Sequence, residues 1–403
     1  MRPTSPASLV RLLWIVWIVA VSSCSQTDTP PTPADQDKYL VGSTQLAQLT
    51  KDQTLAQLTQ SAALFGGVSP SLFVQNGCTV YRLTYRTKNV DGSDVTASGA
   101  LLVPIKTGPL PLMSIQHGTI FTEQEAPSNY APGTESYTVG TLAAALGYIV
   151  AYPDYLGYGE SKQIPHPYEH SKTLASASYD MLQAVREFCK QKSISWNNNL
   201  YLSGYSQGGG ATMSLQQKIE SETPMAFTLK AVSCGAGAYD KTNFTKFLLG
   251  NPSSGLPLAN SQYIWVMQTY NRIYGFNRPL TFYLKEPYAG RVQSQGTSAV
   301  VDVSLNLALT DEFRNGILNG TDTDYLKALK ENDTYNFVPK TPTLLIHGTD
   351  DQQVYFLNSQ NAYDAMKKLG ATNVQLVPIV GKTHPSTIPD YLLRTVQFFS
   401  TLQ

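Results

Sequence analysis

The feature that most constrains how this chain can fold is the order in which short apolar runs alternate with longer helical ones. LPLMSIQ (110–116), YIVAYPD (148–154), NLYLSG (199–204), FTLKAVSCG (227–235), TPTLLIHG (341–348) and NVQLVPIV (373–380) each read as a strand. Between them lie TESYTVGTLAAALG (134–147), KTLASASYDMLQAVREFCKQ (172–191), GGGATMSLQQKIE (208–220) and YFLNSQNAYDAMKKLG (355–370), with a closing helix from about Pro389. Strands that take turns with helices need crossover connections, and these produce a mostly parallel sheet with helices on both faces. An α/β fold is therefore expected. It is preceded by an antiparallel hairpin, because CTVYRLTYRTKN and VTASGALLVP have a period of two and flank Asp91-Gly92 in a turn.

The alternation fails between Gly235 and Pro339. That stretch is aromatic, mostly helical in pattern and broken by Gly and Pro, and it is too long for a loop, so 239–337 is expected to be an inserted, mainly helical cap. The core is then 77–238 together with 338–403. LAQLT occurs at Leu46–Thr50 and again at Leu55–Thr59, a spacing of two and a half helical turns, so 38–76 is expected to be helical, as two short helices or one long one.

At the N-terminus Arg2 and Arg11 precede LLWIVWIVAV (12–21), which has the form of an export signal. The run is too short to span a bilayer, for which roughly 20 apolar residues are needed. Its VSSC ending is similar to a bacterial lipobox, which implies removal of 1–23, acylation of Cys24, a polar proline-bearing tether over 24–37, and attachment to the cell envelope, most simply the outer membrane. Ordinary signal cleavage with Cys24 incidental is the alternative. Loss of Arg2 and Arg11 leaves 27 basic against 29 acidic side chains, and with no basic cluster nucleic acid is excluded as a partner. Cys78, Cys189 and Cys234 are widely spaced without a zinc pattern, so either one disulfide with a free thiol or three buried thiols is expected. No metal or other cofactor motif is present; GGGAT lacks the lysine of a phosphate-binding loop.

Within this frame Gly204-Tyr205-Ser206-Gln207-Gly208 lies directly after a strand and directly before a helix. A G-x-S-x-G match alone is weak, but this is the setting in which a tight turn lifts a serine above the C-terminal edge of a sheet. A serine hydroxyl needs a base, and the base an orienting acid. His384, in GKTHPST after the last strand, supplies the base; Asp350 or Asp351, in LLIHGTDDQQV, supplies the acid; the chain order is Ser, Asp, His. His117 reads as structural, and His166 and His170 as surface residues or distant substrate contacts.

From about Cys78 to the C-terminus the chain resembles the α/β-hydrolase superfamily. The spacing of His347, Gly348, Asp351 and Val354 is similar to the acid loop of its esterases and lipases, which selects Asp351 and leaves Asp350 as the fallback. SIQHGT is similar to the H-G oxyanion motif, and the resemblance implies that the backbone N–H of Gly118 or Thr119, with that of Gln207, stabilises a tetrahedral oxyanion, each donor contributing roughly 3 kcal/mol. PDYLGYGES (153–161) is similar to the D-x-x-G-x-G-x-S loop of many members, where Asp154 shapes the loop. The long cap, the elbow and AGAYD (236–240) resemble the secretory-lipase and related bacterial esterase branch. The implied activity is hydrolysis of a small-molecule or lipid carboxylic ester by Ser206, His384 and Asp351 without a cofactor. A serine peptidase of the same fold and a catalytically silent envelope binding protein are the alternatives.

Overall fold

The computed structural model describes residues 37–402. The expected signal segment 1–23, Cys24 and all but the last residue of the tether 24–37 lie outside them. Among the described residues the strands are β1 Leu40–Leu49, β2 Cys78–Lys88, β3 Asp94–Pro104, β4 Leu110–Gln116, β5 Ile149–Pro153, β6 Trp196–Tyr205, β7 Thr228–Gly235, β8 Thr343–Gly348 and β9 Val374–Ile379. They form one sheet in the order β1-β2-β3-β5-β4-β6-β7-β8-β9. The pairings β1/β2, β2/β3 and β3/β5 are antiparallel. All those from β5 through β4 to β9 are parallel.

The helices that follow the strands are α1 Lys51–Thr59, α2 Thr141–Ala145, α3 Ser171–Gln191 and α4 Gln207–Ser221. Between β7 and β8 come α5 Lys241–Gly250, α6 Pro257–Ile273, α7 Leu280–Tyr283, α8 Tyr288–Gln295, α9 Leu305–Ala308, α10 Asp311–Leu318 and α11 Thr323–Glu331. The chain closes with α12 Leu357–Lys368 and α13 Ile388–Ser400. None of these helices is long and apolar enough to cross a membrane.

Consecutive strand residues point to opposite faces, and here both faces are covered. On one face Leu112, Ile149, Ala151, Leu200 and Leu202 pack with Met181, Leu182 and Phe188 of α3, Met213 and Ile219 of α4, and Met366 of α12. On the other, their neighbours Met113, Val150, Tyr152 and Tyr201 pack with Ala143 and Ala144 of α2 and Phe399 of α13. This two-sided burial explains why the central strands read as continuous apolar runs while β2 keeps a polar alternation. Each fully buried Leu or Ile contributes about 1.5–3 kcal/mol through the area it removes from water.

The segment 38–76 departs from expectation. Its first LAQLT copy ends strand β1, which pairs along the sheet edge with β2, and only the second lies in a helix. The division is set by Thr50: its hydroxyl accepts from Gln53 N at 3.2 Å while the Gln53 side chain accepts from Thr50 N at 2.9 Å. This capping box satisfies two orphan amides and starts α1 at Lys51. Cys78, Cys189 and Cys234 are free and buried, so no disulfide joins them. Burial pushes the Cys78 and Cys189 thiols up to about 12.

The segment between β7 and β8 builds an apolar cluster of its own around Phe244, Leu248, Ile264, Tyr270, Phe313 and Tyr325. It meets the sheet domain at polar seams: Tyr270 donates to Glu169 O at 3.0 Å, Arg272 to His166 O at 3.0 Å, and Asn332 Oδ1 accepts from Ser171 N at 2.9 Å.

Candidate active site

Ser206 occupies the single residue between β6 and α4, at φ 60° and ψ −124°. Such a conformation costs on the order of 1–3 kcal/mol for a non-glycine residue and persists only where the surroundings enforce it. Here the Ser206 N–H is held by Gly235 O at the end of β7 at 2.9 Å, and its carbonyl accepts from Gly209 N at 2.9 Å. The flanking glycines are required by close approach: a Cβ on Gly208 would lie 2.0 Å from Gln116 O, and one on Gly204 2.3 Å from Gly208 O. Gly209 is likewise pinned, 2.4 Å from Gly235 O, whereas a Cβ on Gly210 would meet nothing nearer than 3.7 Å. Close packing of α4 therefore calls for glycine at 209 but not at 210.

His384 lies between β9 and α13 with Nε2 2.9 Å from Ser206 Oγ and Nδ1 2.6 Å from Asp351 Oδ2. A carboxylate only accepts, so Nδ1 carries the proton and the Nε2 lone pair of the neutral ring faces the serine hydroxyl. Asp351 is buried, and its Oδ1 accepts from Gln353 N and Val354 N, each at 2.8 Å. Burial by itself pushes this carboxyl up, but hydrogen bonds from His347 and His384 outweigh it and hold the group well below the usual carboxylate range. Asp350 is exposed and accepts from the Thr349 hydroxyl at 3.0 Å, away from His384. The geometry thus brings together Ser206, Asp351 and His384 and leaves Asp350 out.

Of the three amides expected to face an oxyanion, Gly118 is engaged elsewhere: its N–H donates to Glu135 Oε1 at 2.9 Å, and Glu135 Oε2 accepts from the Tyr152 hydroxyl at 2.8 Å. The amides of Thr119 and Gln207 carry no protein hydrogen bond among the described residues. His117 is buried, with Nδ1 2.6 Å from Gly118 O and its ring stacked 4.1 Å from Tyr155. Asp154 is buried on Ser98 Oγ at 2.6 Å and Ser128 N at 2.7 Å, which fits a loop-shaping part.

A profile of the secretory lipase family matches residues 133–390. The chain belongs to the secretory lipase family. A search of curated protein sequences gave no match. Among solved structures, the chain is similar to the rice cell wall degrading esterase LipA from Xanthomonas oryzae, at 26% identity over 91% of this chain and 100% of that one, TM-score 0.74. It is also similar to a candidate hydrolase from Legionella pneumophila, at 25% identity over 90% of this chain and 98% of that one, TM-score 0.79. Candida antarctica lipase A, 17% identical over 89% of this chain and 83% of its own, shares the fold with TM-score 0.59. The chain is a carboxylic ester hydrolase with an α/β-hydrolase fold.

Two pockets of the protein meet at Ser206. One runs from Ser206 and Gln207 among the inserted helices, past Phe244, Leu248, Met267, Leu305 and Leu329. The other lies over Gly118, Thr119, Phe121, Glu135 and His384. Gln262 of α6 and Gln353 of the acid loop line both. Gln353 Nε2 donates to Gln262 Oε1 at 2.8 Å, so this amide pair stands where the two pockets join and ties α6 to the loop carrying Asp351.

Sequence reasoning missed several supporting residues. His347 is buried with Nε2 3.1 Å from Asp351 Oδ2 and 2.6 Å from Val354 O, while Nδ1 lies 2.7 Å from Ser359 Oγ. Two acceptors at Nε2 place the ring proton there. The Tyr205 hydroxyl donates to His384 O at 2.6 Å and fixes the histidine loop from below the serine. His166 and His170 are not surface residues: both are buried, and burial lowers them to about 3 and about 4. His166 Nδ1–H donates to Leu156 O at 2.5 Å, which leaves Nε2 to accept from the Gln207 side chain at 3.0 Å. The one legible signal was Gly157, whose Cβ would collide with His166 Cα at 2.5 Å, in the loop similar to D-x-x-G-x-G-x-S.

Proposed function

We propose that this secretory lipase cleaves carboxylic esters through an acyl-enzyme formed on Ser206. The observation that carries the reading is the unbroken line from Ser206 Oγ through His384 (2.9 Å) to Asp351 (2.6 Å). His384 Nε2 takes the hydroxyl proton as Ser206 attacks the ester carbonyl and returns it to the leaving alcohol. Asp351 holds the ring in the tautomer that can accept and stabilises the imidazolium. Water, activated by the same nitrogen, then releases the acid and restores the serine. The oxyanion of each tetrahedral intermediate is received by the amides of Gln207 and Thr119. An aligned amide at such a position contributes about 3 kcal/mol in the transition state.

The pocket among the inserted helices is lined mainly by apolar side chains and suits an acyl chain, and the cleft over Thr119 and Glu135 suits the alcohol. Membership of a secretory family supports export, and the VSSC sequence supports acylation of Cys24 and attachment to the envelope. Labelling by a fluorophosphonate probe tests the nucleophile: wild type labels and Ser206→Ala does not. A folded wild-type protein that fails to label overturns the reading. A chain-length series of p-nitrophenyl esters then separates short-chain esterase from lipase behaviour. Cys24→Ala should release the protein from membranes, and unchanged membrane association sinks the anchor.

A further inference from the structure

We infer that the pocket leading from Ser206 among the inserted helices accepts acyl groups bearing a hydroxyl near the carbonyl, recognised by Glu169 and Lys241. The inference rests on the ester-hydrolase reading of Ser206 and adds a substrate class to it.

Glu169 and Lys241 line that pocket together with Ser206. They form an ion pair with Nζ 2.9 Å from Oε2, and their side chains are only 8% and 6% exposed. Burying two charges in an otherwise apolar wall is costly unless every lone pair and proton is met, and here they are not. Glu169 Oε2 is buried with Lys241 Nζ at 2.9 Å as its one close polar partner, off the line of a hydrogen bond, so a lone pair is left over. Lys241 has three N–H groups; one donates to Ala238 O at 2.9 Å, one faces the carboxylate, and no acceptor for the third occurs among the described residues. The pair therefore offers the pocket an acceptor beside a donor.

The chemistry of the complement follows. The pair is neutral overall, so a further charge on the acyl chain would be buried in a mainly apolar pocket without a counter-ion of its own, while a methylene meets neither need. A hydroxyl donates once and accepts once, and is the smallest group to answer both. Its place on the chain follows from the elbow. Glu169 Oε2 lies 3.7 Å from where a Cβ on Gly210 would stand, and Gly210 is about one helical turn, roughly 5.4 Å, beyond Ser206. The pair thus borders the first turn of the helix that begins at Ser206, so a hydroxyl on one of the carbons nearest the carbonyl is the first to reach it. The same pocket is lined by Phe244, Leu248, Leu249, Leu305 and Leu329, which fits an apolar tail. The backbone enforces the arrangement: Glu169 sits at φ 56°, a left-handed conformation uncommon for a side chain of its size, with its carbonyl held by the Tyr270 hydroxyl at 3.0 Å.

The test compares kcat/KM of the full chain for the two enantiomers of p-nitrophenyl 3-hydroxyoctanoate with that for p-nitrophenyl octanoate. One enantiomer should exceed octanoate by about tenfold, equivalent to one well-formed hydrogen bond. In Glu169→Leu/Lys241→Met, which keeps the net charge, the ratio should fall to about one. A wild-type ratio of one or less with octanoate hydrolysed overturns the inference and leaves the ester-hydrolase reading intact. Hydrolysis of neither ester by a protein that also resists the fluorophosphonate overturns that underlying reading instead. A hydroxyacyl preference that survives in the double variant removes Glu169 and Lys241 from the assignment. If the double variant does not fold, Glu169→Gln supplies the same readout: a reduced ratio supports the pair and an unchanged one overturns it.

Discussion

Replacing His347 by Phe separates what holds Asp351 in place from what Asp351 does. Asp351 receives four donors: the amides of Gln353 and Val354 at 2.8 Å, His384 Nδ1 at 2.6 Å and His347 Nε2 at 3.1 Å. A hydrogen bond to a charged group contributes about 1.5–3 kcal/mol. The His347 bond is the longest of the four and its proton is shared with Val354 O at 2.6 Å, so the lower end, about 1.5 kcal/mol, applies. That corresponds to an upward shift of the carboxyl of about one pH unit. Because the group starts well below the usual carboxylate range, it stays ionised at pH 7 and His384 keeps its tautomer. The expected result is a loss of about tenfold or less in kcat for a p-nitrophenyl ester, and a fall in melting temperature of a few degrees. The pH dependence has a definite sign. A depressed carboxyl stabilises the folded state above its unfolded value, and that stabilisation is lost as pH falls through the folded value. The stability gap between wild type and His347→Phe should accordingly be full at neutral pH and close as the solution becomes strongly acidic. The phenyl ring fills the imidazole volume beside Phe356, whose ring centroid is 5.7 Å away, so packing is largely kept. A folded His347→Phe protein that loses as much kcat as Asp351→Asn would refute the view of His347 as a positioning residue. A stability gap that widens toward acid would refute the charge argument.

Asp351→Asn places an amide N–H against His384 Nδ1, forces the ring proton onto Nε2 and should lower kcat by about four orders of magnitude, whereas the exposed Asp350→Asn should remain within a factor of two or so of wild type in the same assay. At the elbow, Gly208→Ala drives a methyl to 2.0 Å from Gln116 O and should yield little soluble protein, while Gly210→Ala, with 3.7 Å of room inside α4, should fold and gain up to about 1 kcal/mol in denaturant titration. In a Cys24→Ser background the thiols of Cys78, Cys189 and Cys234, buried and pushed up in pKa, should react with Ellman's reagent only after unfolding; prompt reaction of any of them in native buffer contradicts their burial.

What could be read from the sequence and what could not divide along one physical line. The strands β4 to β8 were legible because their central residues are buried on both faces, so that Leu112 and Met113, or Leu200 and Tyr201, must both be apolar whatever their partners are; β9, an edge strand with Gln375 and Pro378 exposed, was legible from its apolar composition alone. The elbow was legible because Gly204 and Gly208 answer to backbone atoms within a few residues or on the neighbouring strand, and His384 and Asp351 because chain order in this fold fixes where a base and an acid can stand. Strand β1 was not legible: eight of its ten residues between Leu40 and Leu49 pair with β2 across some 40 residues of sequence, and an edge strand with mostly solvated side chains carries no apolar alternation to announce it. The capping box at Thr50 and Gln53 was present in the sequence, and it dates the start of α1, yet it says nothing of what precedes it. The same rule accounts for the histidines. His384 was found by its place in the chain, but His347 and His166 serve through partners brought by the fold, an acid four residues on and a glutamine at the helix start across the sheet edge. Each single ring proton is fixed by a carbonyl: Leu156 O holds it on Nδ1 of His166 and leaves Nε2 to accept from Gln207, while Val354 O holds it on Nε2 of His347, where it is shared with Asp351 Oδ2. Such a residue has no motif of its own, because its requirement is one lone pair or one proton at one place in space. Loss of the His166 bond should therefore disturb the Gln207 amide at the oxyanion and lower kcat more than it raises KM, and a variant such as His166→Phe in which KM alone changes would show that His166 merely fills space.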